Sequence, residues 1–409
     1  MSLRFLFTIF LLILAACQSQ EPTGAEPAPP ATTVSQPTAT SLPTATVAPS
    51  IINTPEPTVQ AADNLMTWPT FRLNNQQTAV IGQTPITQQP SLLWQFDTGG
   101  VVESSPAVVN GVLYAGTFNN ALFALDSDTG EEIWRFSVGG LLRASPSVVN
   151  NTVYFGADDD RFYAVDATTG AEKWSFGLSP GGEQSSPAIV DGVVYFGAFD
   201  HYIYALDAET GAEQWRFATQ GGILSSPKVA NGMLFIGSID GFVYALDAEN
   251  GRLRWQFDTG RPIFSSPAYA DNRLFIGSDS GSLYAFAADT GDLLWEFQVG
   301  REIFSSPAVA DGIVYVGAHT NLVYGLRADS GELLWQTDVG GAVFSSPAVD
   351  NSMVYIGSSD GHLYALNRHD GTIAWSFPIG ERVWTSPALV NDTLYFGSHD
   401  GNIYALRGN

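Results

Sequence analysis

Apolar residues along most of the chain occur in short runs that are separated by residues favouring tight turns. The run MLFI at 233–236, for example, follows the pair Asn231-Gly232. Consecutive apolar residues over so short a length predict a strand that is covered on both faces of its sheet. Asn, Asp and Gly tolerate the positive φ angles that tight hairpins require. The pattern therefore predicts many short antiparallel strands joined by hairpins.

These runs recur with a fixed period. One Trp marks each unit, with a spacing of 40 residues and a single 41, and a Ser-Pro pair keeps step with it. The marker residues are Trp94, Trp134, Trp174, Trp215, Trp255, Trp295, Trp335 and Trp375. A period of this length indicates a repeat architecture. We expect these tryptophans to pack between neighbouring units, since eight identically placed residues suit a core better than a ligand site.

Three turn signals divide each unit into four strands, which is the composition of a propeller blade. The first Trp strand, around Trp94, precedes every Ser-Pro pair, whereas the chain stops soon after a third strand at 403–406. The early strand can therefore complete the last blade and remove a free edge. Pro belongs on an edge strand, which places each Ser-Pro on the innermost strand. The sequence predicts an all-β, eight-bladed β-propeller over residues 63–409, with four antiparallel strands per blade.

The front of the chain has a different character. Residues 1–16 contain one Arg and an apolar run too short for a comfortable membrane span, which predicts a signal peptide. The run ends in Leu-Ala-Ala-Cys, which resembles the bacterial lipobox and implies a lipid on Cys17. Residues 17–62 are rich in Pro and Thr, and we expect a disordered linker there. Residues 66–91 are expected to pack against the repeats. These features predict an extracytoplasmic, lipid-anchored protein.

The net charge of −24 opposes binding to nucleic acid or to anionic lipid head groups. Cys17 is the single cysteine, so no internal disulfide is possible. We expect a monomer that meets the membrane through its lipid and binds a protein partner in the cell envelope.

The repeat Ala-Leu-Asp-x-x-x-Gly-x-x-x-Trp is clearest at 205–215 and 245–255, with Ser-Ser-Pro and Tyr-x-Gly around it. It resembles the repeat of the PQQ-like (pyrroloquinoline-quinone-type) β-propeller family over about residues 66–409. Its Asp-x-x-x-Gly part, as from Asp207 to Gly211, predicts a turn that the Asp side chain caps. The resemblance implies that the Asp, Gly and Trp of this pattern dock one blade on the next. Three late copies depart from it, with Ala287, Arg327 and Asn367 in place of the Asp.

Members of that family are quinoprotein dehydrogenases or non-enzymatic propellers such as the BamB-like lipoproteins. The dehydrogenases carry a vicinal Cys-Cys disulfide, a calcium site and long insertions, and this chain has one Cys and short loops. The resemblance therefore favours a non-catalytic scaffold for protein or ligand binding, without cofactor or metal. One alternative is a PQQ-dependent dehydrogenase of alcohols or sugars, with bound PQQ and calcium. Another is a polysaccharide or cell-wall binding module.

Strand order places the loops between the fourth and first strands and between the second and third strands on one face. The residue before each Ser-Ser-Pro differs from unit to unit, with Arg residues in the preceding loops. The candidate binding residues are Glu103, Arg143, Gln184, Phe264, Phe304, Phe344 and Trp384, with Arg261, Arg301 and Arg382 nearby. Aromatic and Arg residues anchor interfaces, so we predict a docking surface there. The alternative is that these rings only pack between inner strands.

Four histidines fall in the loops between second and third strands: His201, His319, His362 and His399. Because they lie in different units, we expect solvated turn residues and no metal site. The run Asp158-Asp159-Asp160 lacks the spaced ligands and the distal Glu of a calcium loop, so it predicts no calcium site. We find no catalytic triad or phosphate loop, and we assign no catalytic residue.

Overall fold

The computed structural model describes residues 80–81, 85–181 and 184–408, and it is all-β within those ranges. The described residues include no helix that is long and apolar enough to cross a membrane. The predicted signal peptide, Cys17 and the linker lie outside the described residues, so they stay predictions.

Eight sheets form the eight blades, each with four antiparallel strands, which confirms the predicted fold; a short strand early in the chain adds a fifth to one of them. Two strands precede the first complete blade: β1 (Val80–Ile81) and β2 (Ser91–Asp97). Blades 1 and 2 are β3 (Ala107–Val109), β4 (Val112–Thr117), β5 (Ala121–Asp126) and β6 (Glu132–Ser137), then β7 (Ser147–Val149), β8 (Thr152–Ala157), β9 (Arg161–Asp166) and β10 (Glu172–Gly177). Blades 3 and 4 are β11 (Ala188–Val190), β12 (Val193–Gly197), β13 (Tyr202–Asp207) and β14 (Glu213–Ala218), then β15 (Lys228–Ala230), β16 (Met233–Gly237), β17 (Phe242–Asp247) and β18 (Leu253–Asp258).

The second half of the ring repeats this arrangement. Blades 5 and 6 are β19 (Ala268–Ala270), β20 (Arg273–Gly277), β21 (Ser282–Ala287) and β22 (Leu293–Gln298), then β23 (Ala308–Ala310), β24 (Ile313–Gly317), β25 (Leu322–Arg327) and β26 (Leu333–Asp338). Blade 7 is β27 (Ala348–Asp350), β28 (Met353–Gly357), β29 (His362–Asn367) and β30 (Ile373–Pro378). Blade 8 contains β31 (Ala388–Val390), β32 (Thr393–Gly397) and β33 (Asn402–Arg407).

The ring closes through β2, as the sequence predicted. β2 pairs antiparallel with β33 and places Trp94 opposite Ala405, so blade 8 has its outermost strand from the start of the chain. The backbone N–H of Ser386 in blade 8 donates to the Ser105 hydroxyl of blade 1 over 2.8 Å. The two ends of the repeat array therefore meet without an open sheet edge between them.

The repeated Trp residues lie between blades. The indole Nε1–H of Trp174 in blade 2 donates to the Ala208 carbonyl of blade 3 over 3.1 Å, and all eight marker tryptophans make the equivalent bond. Gly211 lies against the same ring, because a Cβ there would approach Trp174 Cε3 to 2.6 Å. A large ring and a residue without a side chain fit together in this way for every marker Trp except Trp375.

The repeated Asp caps its own turn, as its spacing predicted, which differs from the role that the resemblance implied. The Asp207 carboxylate accepts hydrogen bonds from the N–H of Glu209 and from the N–H and hydroxyl of Thr210, all within its own turn. It therefore caps a turn inside one blade and does not dock the next blade. This explains why the fold tolerates Ala287: the backbone bond from Gly291 N–H to the Ala287 carbonyl, 2.8 Å, holds that turn without a carboxylate.

The segment before β2 contacts blade 7. β1 pairs in parallel with β27, the innermost strand of that blade. Ile86 is buried, its N–H donates to the Tyr355 hydroxyl, and its carbonyl accepts the Trp375 indole N–H over 2.7 Å. Ile86 therefore supplies the carbonyl that the next blade supplies to the other seven tryptophans. The expectation that this segment packs against the repeats is met by its described residues.

Candidate functional site

The loops that hold the candidate residues meet on one face of the ring. The N–H of Phe118, between the second and third strands of blade 1, donates to the Val101 carbonyl in the loop that enters blade 1. His319 N–H makes the same bond to the Glu302 carbonyl over 3.0 Å. These bonds bring the two kinds of loop together around the end of the central channel. We call the cavity at this end the mouth.

The residue before each Ser-Ser-Pro turns towards the mouth because its neighbours are fixed elsewhere. Ile303, just before Phe304, is fully buried and approaches Gly277 so closely that a Cβ on Gly277 would lie 2.3 Å from Ile303 Cγ2. Ser305, just after Phe304, accepts the Gly317 N–H at its hydroxyl oxygen over 3.1 Å. Side chains alternate along an extended chain, so Phe304 points into the channel.

The mouth is a cavity of about 200 Å³. Eight residues at the position before Ser-Ser-Pro, or its equivalent, line it: Glu103, Arg143, Gln184, Leu224, Phe264, Phe304, Phe344 and Trp384. The structure thus brings together all seven predicted residues at this position, and it adds Leu224. The serine preceding each Pro, together with Ala144 and Ser185, forms the rest of the lining. Binding at this cavity is still a prediction.

Four adjacent blades contribute an aromatic arc, which consists of Phe264, Phe304, Phe344 and Trp384. Successive ring centroids lie 4.6, 5.5 and 4.1 Å apart. At these distances the rings pack against one another, so much of each face is covered and ring edges are left for the cavity. The rings therefore pack together, as the alternative interpretation expected, and they also line an open cavity, where docking stays a prediction.

Two histidines extend this arc, which corrects the expectation that they are solvated turn residues. His319 packs against Phe304 and Phe344 at centroid distances of 4.6 and 4.3 Å, and its side chain is 12% exposed. His399 packs edge-on against Trp384 at 4.4 Å and is 14% exposed. Their loop position turns them over the mouth. His201 is exposed at a turn, as expected, with φ of 75°, and His362 begins β29.

The opposite side of the mouth is charged. The Arg143 guanidinium lies 3.1 Å from the Asp158 carboxylate and 3.9 Å from Glu103, and it covers the Phe118 ring at 4.9 Å. His399 Nε2 lies 3.3 Å from Glu103 Oε1, which connects this group to the aromatic arc. Burial raises the pKa of Asp158, and the Arg143 charge opposes that increase. Asp158 thus belongs to an ion-pair group at the mouth.

Burial also shifts the pKa values of two groups beside the aromatic arc, Asp279 and His319. Burial, followed by the nearby charge of Glu302, raises the pKa of Asp279 to about 7. Burial lowers the pKa of His319 to about 4, although Glu302 Oε2 lies 3.6 Å from its Nδ1. His319 is therefore neutral near pH 7, whereas Asp279 is close to half protonated.

The three predicted arginines lie outside the lining of the cavity. Arg261, Arg301 and Arg382 are all exposed in the loops that enter their blades. The Arg382 guanidinium lies 5.6 Å from the centroid of the Trp384 ring, and Arg301 pairs with Glu302 at 3.5 Å. These residues therefore form a rim around the aromatic side of the mouth.

Sequence reasoning missed a second ring of residues above the first. It occupies the second position after the Gly that ends each second strand. Its members are Phe118, Asp158, Phe199, Ile239, Asp279, His319, Ser359 and His399. Several of them contact the first ring, as when the Trp384 indole N–H donates to the Ser359 hydroxyl over 2.9 Å. The available signal was variation at a fixed position within an otherwise regular repeat.

The described residues contain no group of three or more His, Cys, Asp or Glu placed to hold a metal ion. Nor does the mouth fit PQQ, a planar molecule with three carboxylates. Arg143 is the one cation in its lining, and two carboxylates already pair with it. Bringing a trianion beside Glu103 and Asp158 would be opposed by like charge.

Known proteins that match this chain include β-propellers of the same kind. A family model described as outer membrane protein assembly factor BamB matches residues 87–200, and one described as the β-propeller of beta-alanine-activating enzyme matches residues 150–352. A search of curated proteins found no significant match.

Solved structures resemble most of the ring. BamB from Moraxella catarrhalis has a TM-score of 0.67 and 22% identity over 78% of this chain and 98% of its own. A europium-containing methanol dehydrogenase has a TM-score of 0.74 and 14% identity over 84% and 98% of the two chains. Quinohemoprotein alcohol dehydrogenase from Comamonas testosteroni has a TM-score of 0.73 and 15% identity over 83% and 80%. These identities support the shared fold alone. Since propeller-repeat models match consecutive stretches of a chain that folds as eight such repeats, the protein belongs to the PQQ-like β-propeller family.

Proposed function

We propose that this protein is a non-catalytic binding module of the cell envelope, which docks a protein partner at the mouth of its propeller. The observation that carries the proposal is the aromatic arc with its Arg rim. Blades 5 to 8 each place an aromatic ring at a position where a regular repeat needs none. Aromatic and Arg side chains at a rigid, partly open site are typical anchors of protein interfaces.

The location follows from the front of the chain. A lipid on Cys17 and a Pro/Thr-rich linker over residues 17–62 would hold the ring at the envelope membrane and allow it to reach partners there. The match to the model named for an outer membrane assembly factor supports such a location. Replacing Cys17 with Ser is expected to release the protein from the membrane fraction. Retention of the variant there would contradict the anchor.

The docking surface is tested by cross-linking the anchored protein in its native envelope and identifying the captured protein. The double substitution Phe304→Ser and Trp384→Ser should reduce capture of that partner about tenfold or more, because two anchors are removed. The matched control is Leu293→Ser with Leu333→Ser. It also removes two apolar side chains, 43% and 38% exposed, but on outer strands β22 and β26. Equal capture by both variants and the unmodified protein would overturn the proposal.

The absence of catalysis is tested separately. The protein is incubated with PQQ and calcium, and then assayed for dye reduction with alcohols and sugars and for a change in melting temperature. We expect neither dye reduction nor a higher melting temperature, because the charged side of the mouth opposes the trianion. A rise in melting temperature together with turnover would instead identify a quinoprotein dehydrogenase.

A further inference from the structure

The serine before each Pro forms a closed ring of hydroxyl groups at the base of the mouth. We call it the serine ring, and its members are Ser105, Ser145, Ser186, Ser226, Ser266, Ser306, Ser346 and Ser386. Seven hydrogen bonds of 2.8–2.9 Å run from the backbone N–H of one member to the hydroxyl oxygen of the next. The ring therefore joins the blades around the channel, and it also lines the cavity.

Each of these hydroxyls has a proton left to donate. In the described hydrogen bonds every ring oxygen except that of Ser226 accepts a backbone N–H, and none of the eight hydroxyls is a donor. All eight side chains belong to residues less than 9% exposed, and all line the cavity. Buried donors need acceptors. The serine ring therefore calls for a ligand with several oxygen acceptors.

The charges around the cavity favour a ligand without net charge. Most of the serine oxygens already accept a backbone N–H, so they offer a proton more readily than a lone pair, which opposes a cation. The pairing of Arg143 with both Asp158 and Glu103 leaves no unopposed positive charge in the lining for an anion. The overall charge of −24 acts against an anion as well.

The aromatic arc and the charged side of the mouth require a ligand that has both apolar C–H groups and hydrogen-bond donors. The edges of the aromatic arc suit C–H groups, whereas Glu103 on the opposite side accepts hydrogen bonds and needs donors. A cavity of about 200 Å³ can admit one six-membered sugar ring. Sugar hydroxyls can accept from serine and also donate to a carboxylate.

We infer that the serine ring binds a single neutral sugar unit, either free or at the end of an envelope glycan. The inference rests on the proposed function in that it names a ligand for the same face of the ring. It places the sugar at the base of the mouth, below the aromatic and Arg rim on which the protein partner would dock.

The test uses the full-length mature protein and saturation-transfer NMR with glucose, galactose, mannose and N-acetylglucosamine. Glucuronate and glucosamine provide anionic and cationic counterparts. At least one neutral sugar should bind, and the charged counterparts should bind at least about tenfold more weakly. Binding of none of the neutral sugars, which would mean a cavity filled by water alone, overturns the inference. Preferential binding of a charged sugar overturns it too.

A pair of double variants locates the site. Ser306→Ala with Ser346→Ala removes two hydroxyls from the serine ring and should weaken sugar binding about tenfold. The control, Ser305→Ala with Ser345→Ala, also removes two buried hydroxyls that accept backbone N–H groups, but these lie outside the cavity lining. It should leave the affinity unchanged once folding is verified. An unchanged sugar affinity in the variant with Ser306→Ala and Ser346→Ala contradicts the inference. Partner capture through Phe304 and Trp384 is scored separately, so either result can fail alone.

Discussion

The contacts between blades and the mouth of the channel are built from the same repeat, yet they use it in opposite ways. Between blades the same pieces recur, with a Trp indole donating to the next blade's carbonyl beside a Gly, as for Trp174 and Gly211. At the mouth the equivalent positions hold Glu, Arg, Gln, Leu, Phe and Trp. Uniform positions stabilise the ring, because each blade must fit its neighbours. Variable positions are free of that requirement and can serve binding.

The serine ring lies between these two cases. Its residues are uniform, as those between blades are, and their oxygens accept hydrogen bonds from the neighbouring blade. They nevertheless line the cavity as well. One uniform position therefore contributes both to ring closure and to the chemistry of the mouth, and only the variable positions around it make the two sides of the mouth different.

The largest expected effect comes from opening the ring. Deleting residues 91–98 removes β2 and Trp94, so blade 8 loses its outermost strand and the bond from Trp94 to blade 1. We expect the melting temperature to fall by about 10 °C or more. Deleting residues 18–62 is the control and should leave the melting temperature unchanged. An unchanged melting temperature in the first deletion would show that closure contributes little to stability.

Two tryptophans sharpen the comparison directly. Trp295→Ala removes a ring that is 9% exposed and bonded to the next blade, and it should lower the free energy of unfolding by about 3–5 kcal/mol. Trp384→Ala at the mouth should lower the free energy of unfolding by clearly less. Trp384 is more exposed, and blades 1 to 4 have no aromatic residue at the equivalent position. Chemical denaturation of both variants measures the difference. Equal losses would mean that the mouth is as structural as the contacts between blades.

Two glycines with the same backbone angle separate conformation from packing. Gly211 and Gly260 both have φ of 73°, but a Cβ at Gly211 meets the Trp174 ring, whereas none of the described atoms lies within 4 Å of a Cβ at Gly260. Gly260→Ala should cost about 1–2 kcal/mol, the conformational penalty alone. Gly211→Ala should cost about 1–3 kcal/mol more, because the ring must shift. Similar destabilisation of both variants would argue against tight packing between blades 2 and 3.

The smallest effect is electrostatic and depends on pH. The pKa of Asp279 is raised from 3.8 to about 7 in the folded protein, so the folded state binds more protons than the unfolded state between these values. Its contribution to stability is therefore lost as pH rises from about 4 to about 7. Asp279→Asn should match the unmodified protein near pH 4 and should melt a few degrees higher, about 2–5 °C, above pH 7.

His319 makes stability depend on pH in the opposite direction to Asp279. Its pKa is lowered to about 4, so its contribution is present above its ordinary value of 6.5 and is lost as pH falls towards 4. His319 makes this contribution both in Asp279→Asn and in the unmodified protein, so it largely cancels when their melting temperatures are compared. A melting difference between Asp279→Asn and the unmodified protein that is constant from pH 4 to 8 would contradict the assigned shift.

Much of the fold could be read from the chain because a repeat presents the same evidence eight times. The turn at Asn231-Gly232, the location of Trp174 between blades and the closing strand around Trp94 follow from local patterns and from counting strands. The repeated Asp was open to two interpretations, a cap on its own turn from the Asp-x-x-x-Gly spacing and a contact with the next blade from the family resemblance. A carboxylate that caps its own turn and one that reaches the next blade have the same spacing in sequence, and only the contacts of Asp207 distinguish them.

Of the two rings of variable residues at the mouth, only the one before Ser-Ser-Pro could be predicted from the sequence. Residues before Ser-Ser-Pro, such as Phe304, could be placed by strand order, since the motif marks the innermost strand. His319 and His399 lie about 15 residues later in each repeat, in loops that commonly face solvent. Their burial depends on how far the loops between second and third strands bend over the mouth. That bend is fixed by hydrogen bonds between loops, which no local pattern encodes.

The amino-acid sequence alone determined the number of blades, the strand that closes the ring and the positions that vary, because periodicity and turn chemistry are local properties of a chain. The tertiary structure decided which variable side chains meet. The contact of His399 with Glu103 and the serine ring both join residues from different blades, and the latter links positions about 40 residues or more apart. Such contacts depend on the curvature of the whole ring, which exists only after eight blades have closed.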